Sequence, residues 1–484
     1  MNNMMPEEVF RIFRSVFGGR ASAFTTHFTT PSGKEGYRRV CSRMGKQCTT
    51  ESFPDCGRCR SASLLHLSAE ALGAHLDGRF PVGIYPADEN GCCRFSVIEL
   101  ENEDFRPRLR LLAAICKSAD LAHLCELTHF GQRGRLWLFY REPVTARLAA
   151  ETAADLLLES QIAMGGLPVD TGDNIFPVIS PPSDFGKPVM LPLFDIKSGF
   201  SVFTDDELKP VSDGLELLAN IAPNEIKSVR LPVGNDDFPP TVRVEICDKI
   251  YVSAQGFSPR GIAALCDLAR MHNPESSSES GDARPVFVGC FGFSNGRVHL
   301  PAGVIDGLRG LLDPYSKVEI TDGRQRGDKI RLRSSEKSDT QLVKRLLLKD
   351  RAVITAPVGS GKTQLIFGVM ESLRRSTLIL TTEKSAAVRW RRRTMGHFGL
   401  GEDDIPCITD DLSYPGGRLD VALLGPRTEL WLAEHLPRYG LVIAADVDRL
   451  HCGGDIFRSV MENICAEKVY AVSSCLVENT RWGD

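Results

Sequence analysis

The chain has 484 residues and a formal net charge of -4, with 42% hydrophobic and 25% charged residues. This length is typical of about three domains, and the near-neutral charge excludes a polycation that binds nucleic acid through bulk charge. The first residues include acidic side chains, and no run of about 18 apolar residues occurs in the sequence. The sequence therefore predicts a cytoplasmic protein with no signal peptide and no membrane partner.

Four of the 15 cysteines lie close together near the N-terminus. They follow a predicted amphipathic helix over 7–17, and their spacing is Cys41-x6-Cys48-x7-Cys56-x2-Cys59. Four thiolates suit a tetrahedral structural Zn2+ and leave no open position for catalysis. The alternative is four unrelated free thiols, but free cysteines prefer apolar burial and these lie among polar and basic residues. We therefore expect a zinc-binding element.

Strands and helices alternate after the cysteines. Strands are predicted over 80–85, 94–101 and 136–140, and helices over 107–119 and 144–164. In the second strand, Glu99 and Glu101 point to the same side because side chains alternate along a strand. Two carboxylates at this spacing are a common way to hold divalent metal for nucleotidyl transfer. The alternative for so short a pattern is a solvated strand end.

The middle of the chain begins with a loop rich in Pro, Gly and Ser, predicted over 176–192. Beyond it, strands are predicted over 242–246, 286–290 and 318–320, and helices over 259–271 and 303–312. From about Ser338 the elements follow the order helix, strand, loop, helix and strand. This order predicts a parallel sheet covered on both faces.

A phosphate-binding loop, Ala-Pro-Val-Gly-Ser-Gly-Lys-Thr, occupies 356–363. A strand is predicted before it, over 351–355, and a helix after it, over 364–373, which is the context that this motif requires. Backbone N–H groups of the turn and the helix N-terminus attract phosphate oxygens. We expect Lys362 to reach the β- and γ-phosphates of ATP and Thr363 to ligate Mg2+. The predicted ATP site comprises Gly359, Ser360, Gly361, Lys362 and Thr363. The alternative is a chance match in a glycine-rich turn.

The rest of this region supplies candidate acids and a basic helix. The strand predicted over 441–448 ends in Asp446 and Asp448, where a carboxylate is expected to hold Mg2+ and to polarise the attacking water. A basic helix follows the strand predicted over 376–382. Its predicted nucleic-acid contacts are Arg389, Trp390 and Arg391, with Trp390 stacking on a base. The alternatives are a solvated basic face and a tryptophan that belongs to the core.

This order of elements resembles the first RecA-like domain of a superfamily 2 DEAD/DEAH-type helicase. The acidic motif of that family reads Asp-Glu-x-His/Asp, whereas in this chain either Ala445 replaces the first acid or Val447 replaces the second. The next motif stands as Ser473-Ser474-Cys475, and no second RecA-like domain follows before Asp484. The resemblance implies nucleotide binding, without ATP hydrolysis or strand unwinding by this chain alone.

A second resemblance covers nearly the whole chain, from about residue 7 to residue 484. It is carried by Val-Gly-Ile-Tyr-Pro at 82–86, the acidic strand, and the segments 126–140, 170–177 and 190–193, with the four-cysteine element before them and segment 250–274 after them. In this collinear order they resemble the archaeo-eukaryotic primase domain that is fused to superfamily 2 helicases in bacterial TOTE conflict systems.

The departures from that family lie at its catalytic positions. The family has Asp-x-Asp where this chain has Glu99 and Glu101, and the resemblance maps its third acid onto Asp173. Its phosphate-binding histidine is replaced by Arg135, whose guanidinium suits a triphosphate. The resemblance implies an α/β and α+β multidomain protein: an N-terminal helical segment (1–35), a zinc element (36–65), a primase-polymerase-like α+β domain (66–225), an α/β connecting domain (226–330) and a RecA-like ATPase domain (331–484).

Three hypotheses of function follow. The first is an ATP-binding and DNA- or RNA-binding primase–helicase protein with weakened or lost catalysis, which serves with an effector as a scaffold or sensor in a bacterial anti-phage or mobile-element conflict system. The second is an active primase-polymerase, in which Glu99, Glu101 and Asp173 hold two Mg2+ or Mn2+ ions. The third is the ATPase subunit of a split helicase, whose second RecA-like domain comes from a partner chain.

Overall fold

The computed structural model describes residues 5–29, 35–42, 63–101, 103–165, 174–179, 185–225, 232–272, 287–332, 340–408, 417–445, 447 and 454–474. The chain divides into two compact units. Unit 1 comprises Met1–Asp237 and Phe257–Gly289, and unit 2 comprises Phe238–Gly256 and Cys290–Asp484. The segment 226–330, expected as one connecting domain, is thus divided between the two units.

Both units combine helices with strands. The helices, in chain order, are α1 (Pro6–Val16), α2 (Ala69–Leu76), α3 (Phe105–Ser118), α4 (Ala146–Ala163), α5 (Gly214–Ala219), α6 (Pro259–Asp267), α7 (Ile305–Leu312), α8 (Thr340–Leu347), α9 (Lys362–Leu373), α10 (Lys384–Phe398), α11 (Pro426–His435) and α12 (Gly454–Glu462). The strands are β1 (Thr25–Thr29), β2 (Glu35–Arg39), β3 (Val82–Ile84), β4 (Cys92–Leu100), β5 (His123–Thr128), β6 (Arg133–Thr145), β7 (Asn174–Phe176), β8 (Val189–Met190), β9 (Val202–Thr204), β10 (Thr241–Ile246), β11 (Lys249–Ser253), β12 (Arg270–His272), β13 (Phe287–Gly289), β14 (Gly292–Ser294), β15 (Arg297–Pro301), β16 (Lys317–Asp322), β17 (Arg351–Thr355), β18 (Thr377–Thr381), β19 (Cys407–Ile408), β20 (Leu419–Leu423), β21 (Leu441–Ala444) and β22 (Lys468–Ser473).

Unit 1 is built around a five-stranded antiparallel sheet of order β7-β4-β6-β5-β9. Both faces of its central strands are buried. On one face, Ile98 and Leu136 belong to the core shared with α3 and α4. On the other face, Phe95 and Trp137 both pack edge to face against Phe17, which follows α1. The rings of Phe95 and Trp137 are tilted relative to each other. Because side chains alternate along a strand, odd-numbered residues of β4 and β6 near Glu99 reach the α1 face.

A second sheet of unit 1, of order β2-β1-β3-β8, is also antiparallel. Its Val82 and Val189 join the core on the α1 face. The remaining part of the unit returns from a later segment of the chain. Helix α6 is tied to α4 by an ion pair of 3.2 Å between Arg260 and Glu159.

Unit 2 contains a six-stranded sheet of order β17-β22-β21-β18-β20-β19, in which every pairing is parallel. Ile379 and Ile443 face a core shared with α9 and α10, whereas Leu378 and Val442 face a core shared with α11 and α12. This confirms the prediction of a parallel sheet covered on both faces. A five-stranded mixed sheet of order β14-β15-β11-β10-β16 completes the unit.

One predicted helix is shorter than expected. The periodicity predicts a helix over 259–271, but the helix ends at Asp267. Residues 270–272 instead pair with residues 287–289 as the antiparallel strands β12 and β13. Local periodicity carries no information on a strand partner that is distant in sequence. None of the described helices is long and apolar enough to cross a bilayer.

Candidate functional sites

A buried ion pair lies where the sequence predicts the first metal carboxylate. Glu99 on β4 is directly opposite Arg135 on β6. Arg135 donates hydrogen bonds from Nε (2.8 Å) and Nη2 (2.6 Å) to Glu99 Oε1, and the two side chains are only 9% and 3% exposed for Glu99 and Arg135. Burial acts to raise the pKa of Glu99, but the charge and hydrogen bonds of Arg135 outweigh it and hold this pKa below its usual range.

The guanidinium of Arg135 is enclosed on its other sides as well. Its Nη1 donates to the Met190 carbonyl at 3.2 Å and lies 3.8 Å from Oε2 of Glu126 on β5. Glu126 is itself fully buried and accepts hydrogen bonds from Trp137 Nε1 (2.7 Å) and from the Ser201 hydroxyl. Burial raises the pKa of Glu126, against the opposing charge of Arg135. In this arrangement Arg135 is a core counter-ion, which differs from the triphosphate contact expected from the sequence.

The second predicted metal carboxylate has an arginine partner too. Glu101 follows β4 and forms an ion pair of 3.1 Å with Arg133, the first residue of β6. Burial and the charge of Glu99 raise the pKa of Glu101, although Arg133 acts in the opposite direction. The charges of Glu99 and Glu101 both act on the Lys187 amine. This amine also donates a hydrogen bond to Asn174 Oδ1 at 3.1 Å.

These contacts make a poor site for two divalent ions. Nucleotidyl transfer by two metals requires carboxylate oxygens that are directed at the ions. In this cluster Glu99 and Glu101 each form an ion pair with an arginine. The Lys187 amine is a third cation close to both carboxylates. A metal ion at Glu99 would have to displace a buried guanidinium and leave it unpaired. The described residues therefore do not fit a two-metal centre. The third predicted acid, Asp173, lies outside the described residues.

Sequence reasoning missed several members of this cluster, namely Tyr37, Glu126, Arg133 and Lys187. A signal existed for one of them, because Glu126 interrupts an apolar strand and a buried carboxylate requires a partner. Tyr37 on β2 gave no such signal. Burial raises the pKa of its hydroxyl to about 12, and the charges of Arg135 and Glu99 also act on it.

The phosphate-binding loop has the predicted strand, turn and helix around it. Strand β17 ends at Thr355, which is opposite Ser473 at the end of the parallel strand β22. Gly359 and Gly361 have φ angles of +85° and +87°, a conformation that favours glycine. Helix α9 begins at Lys362, whose amine donates to the carbonyls of Ala356 and Pro357, the latter at 2.8 Å. The Lys362 amine is thus held by carbonyls of its own loop, and ATP binding at this turn stays a prediction.

The acids predicted beside this loop are not described. Strand β21 ends at Ala444, earlier than the predicted 441–448, and Asp446 and Asp448 lie outside the described residues. Since β21 and β17 belong to one parallel sheet, their carboxyl ends lie at the same edge. Both aspartates therefore remain predictions for the Mg2+ carboxylate.

Helix α10 presents a different basic face from the one predicted. Trp390 is only 6% exposed and packs edge-on against Phe367 in the core, at 6.3 Å between ring centroids. The predicted stacking of Trp390 on a base is therefore wrong, because the indole is enclosed. Arg391 donates to the carbonyls of Ile405 (2.7 Å) and Glu402 (2.8 Å), which fixes the following loop. The side chains exposed on this helix include Arg389, Arg392 and Arg393.

The zinc prediction rests largely on cysteines that the structure does not describe. Cys41 is half-buried and forms an isolated β-bridge with Leu64. Cys48, Cys56 and Cys59 lie outside the described residues. The Zn2+ site stays a prediction from cysteine spacing.

Comparison with known proteins indicates the class of protein that this chain resembles. Residues 8–231 match the family model of the archaeo-eukaryotic primase domain of the TOTE conflict system. A stretch of 130 residues is 29% identical to the DNA 3'-5' translocase XPB2 of Sulfurisphaera tokodaii and covers 25% of this chain. The chain spans 29% of the length of that curated relative. It resembles a TOTE conflict system primase joined to a helicase-like domain.

Two solved structures show partial similarity to this chain. One structure of the UvsW helicase from bacteriophage T4 has a TM-score of 0.36 and 12% identity, over 49% of this chain and 93% of that crystallised chain. The polymerase domain of Mycobacterium tuberculosis Ligase D in complex with DNA has a TM-score of 0.24 and 15% identity, over 39% of this chain and 75% of that domain. Both TM-scores lie below 0.5, which is too low to assign a shared fold.

Proposed function

We propose that this chain is an ATP- and nucleic-acid-binding protein of the primase–helicase type whose primase-like site has lost metal-dependent synthesis. It would serve as a scaffold or sensor in a conflict system against phage or mobile elements. The observation that carries the proposal is the pairing of both candidate metal ligands, Glu99 and Glu101, with arginines of the neighbouring strand.

The charges at this site support loss of catalysis over an active primase. Two metal ions bring four positive charges, which an active centre balances with carboxylates and substrate phosphates. In this chain two arginines and Lys187 already supply cationic charge beside Glu99, Glu101 and Glu126. A guanidinium that is hydrogen-bonded at short distance to a buried carboxylate is retained, because its removal leaves an unpaired charge in the core.

The phosphate-binding loop supports retention of nucleotide binding. Gly359 and Gly361 adopt the positive φ angles of the turn before α9. Lys362 is the lysine that this motif uses to bind phosphate. ATP bound there with its Mg2+ would shift the domain toward the conformation that binds it more tightly. Thr363 stands in the first turn of α9, where its hydroxyl would contact the associated metal ion.

Nucleotide binding is tested by titrating the full chain with a fluorescent ATP analogue in the presence of Mg2+. Wild type is expected to bind, and Lys362→Ala is expected to lose binding. Lys344→Ala, at an exposed lysine of α8, is the matched control and should bind like wild type. Absence of binding in wild type, or equal binding in Lys362→Ala, would contradict this part of the proposal.

Loss of the primase centre is tested by primer synthesis with Mg2+ or Mn2+ on single-stranded DNA and RNA templates. We expect no synthesis by wild type, and no difference between wild type and Glu101→Gln. Glu101 is chosen because it is half-exposed, so its amide variant is expected to fold. Synthesis by wild type that disappears in Glu101→Gln would establish an active primase-polymerase and overturn the proposal.

A further inference from the structure

Helices α9 and α10 contact each other through side chains at successive turns. Phe367 of α9 stacks on His397 of α10, with 4.5 Å between ring centroids, and His397 Nε2 lies 2.7 Å from Glu371 Oε1 one turn further along α9. One turn in the opposite direction, Arg393 Nη1 donates to the hydroxyl of Thr363 at 3.4 Å. The contact at Thr363 places an arginine of α10 at the first turn of α9, directly beside the phosphate-binding loop.

We propose that Arg393 is a further residue of the nucleotide site, which donates hydrogen bonds to the terminal phosphates of a bound nucleoside triphosphate. The inference rests on the proposed ATP binding and adds to it a phosphate-binding residue that lies outside the phosphate-loop motif. The arginine comes from the same domain as the loop, about thirty residues further along the chain.

The position of Arg393 is suited to this role. Its side chain is exposed and therefore free to turn. In the described part of the chain, its guanidinium contacts the neutral hydroxyl of Thr363, and this contact is long. Lys362 is held in a similar way by neutral carbonyls. Phosphate oxygens carry negative charge and accept stronger, charge-assisted hydrogen bonds, so both cations gain by exchanging their present partners for phosphate.

Two other arginines of α10 have partners elsewhere. Arg391 is bound to the carbonyls of Ile405 and Glu402, and Arg389 donates to Ser385 on its own helix at 3.3 Å. Side chains of a helix tilt toward its N-terminus. The contact with Thr363 shows that the Arg393 side chain extends toward the phosphate-binding loop. Among these three arginines, Arg393 is the one placed to sense the number of phosphates.

The test compares ATP, ADP and AMP binding to the full chain for wild type, Arg393→Ala, Arg393→Lys and Arg392→Ala. We expect Arg393→Ala to weaken ATP binding about tenfold, or about 1.4 kcal/mol, and to weaken AMP binding little. Arg393→Lys should recover part of the loss, since a lysine keeps the charge but not the fork of donors. Arg392→Ala, one position away and also exposed, should bind ATP like wild type.

The outcomes separate this inference from the proposed function. If wild type binds no nucleotide, the proposed ATP site fails. If wild type binds ATP, Lys362→Ala does not, and Arg393→Ala binds like wild type, the inference about Arg393 alone is overturned. It is also overturned if Arg393→Ala binds ATP more tightly, which would mean that Arg393 competes with Mg2+ for Thr363. Thermal melting of each variant without nucleotide should match wild type, which excludes a merely structural effect.

Discussion

Arg135 and Glu99 face each other across neighbouring strands, and both Nε and Nη2 of the arginine bind the same carboxylate oxygen. The pair lies in the core of unit 1, with Glu126 on the far side of the guanidinium. This is the place where the sequence predicts a divalent metal. A positive charge is thus present, but it belongs to the protein and cannot exchange with solvent ions.

The buried and exposed arginine pairs should differ sharply in their contribution to stability. Arg135→Met leaves Glu99 and Glu126 without their cation, and we expect the free energy of unfolding to fall by about 3–5 kcal/mol. Arg133→Met, the matched control, removes a pair whose side chains are 34% and 37% exposed for Arg133 and Glu101 and should cost at most about 1 kcal/mol. Denaturant unfolding with hydrogen exchange of the β6 amides measures both. Equal costs would contradict the distinction.

A buried histidine should make unit 1 sensitive to acid. His75 is fully buried; its Nδ1 accepts from the Val82 N–H at 2.9 Å and its Nε2 donates to the Pro192 carbonyl at 3.1 Å. Burial lowers the pKa of His75 to about 4. Because the folded-state pKa is depressed, the stabilisation is present above about pH 6.5 and is lost as pH falls toward about 4, by on the order of 3 kcal/mol.

The matching variant is His75→Gln, which cannot titrate in this range. Stability of wild type, measured by denaturant unfolding between pH 7 and pH 4, should fall more steeply than stability of the variant. Parallel pH profiles would show that His75 contributes no proton linkage, whatever the absolute cost of the substitution.

Substitution of Trp390 should affect stability, whereas substitution of Arg389 should affect nucleic-acid binding. Trp390→Ala removes a buried indole and should lower the free energy of unfolding by about 3–5 kcal/mol. Arg389→Ala changes an exposed side chain and should leave stability within about 0.5 kcal/mol. If Arg389 contacts a nucleic-acid phosphate, its removal should weaken binding and reduce the salt slope by about one. Fluorescence anisotropy at several salt concentrations checks this, and an unchanged slope would remove Arg389 from the nucleic-acid surface.

Two glycines of unit 2 should respond oppositely to alanine. A Cβ at Gly440 would lie 1.8 Å from the Arg326 carbonyl oxygen and 2.9 Å from the Gly327 nitrogen, so Gly440→Ala must displace backbone. We expect a loss of at least about 2 kcal/mol. Gly396 lies within α10 with open space around it, and Gly396→Ala should stabilise by about 0.5–1 kcal/mol. Thermal melting distinguishes the two signs.

The sequence predicts those features whose cause is local. Strand 351–355 and the phosphate-binding loop follow from hydrophobic pattern and glycine spacing, and Glu99 and Glu101 follow from strand alternation. The partner of Glu99 does not, because Arg135 reaches it only through the register of β4 against β6. Trp390 illustrates the same limit: its helix is predictable, but its inward direction depends on Phe367 and on the sheet beneath it. The family resemblance implies a triphosphate contact for Arg135, whereas the structure pairs this side chain with Glu99 in the core.

The order in which the two units appear along the chain has a consequence for dissection. The chain passes from unit 1 to unit 2, back to unit 1 and again to unit 2, so the units are interleaved and not arranged end to end. A truncation after Asp237 would strip α6 and β12 from unit 1 and leave Glu159 and Asp155 of α4 without Arg260 and Arg270. One proteolytic cut between the units would leave at least one fragment that carries segments of both. The two halves are therefore not interchangeable cassettes, and an exchange of one half between relatives must carry both of its segments.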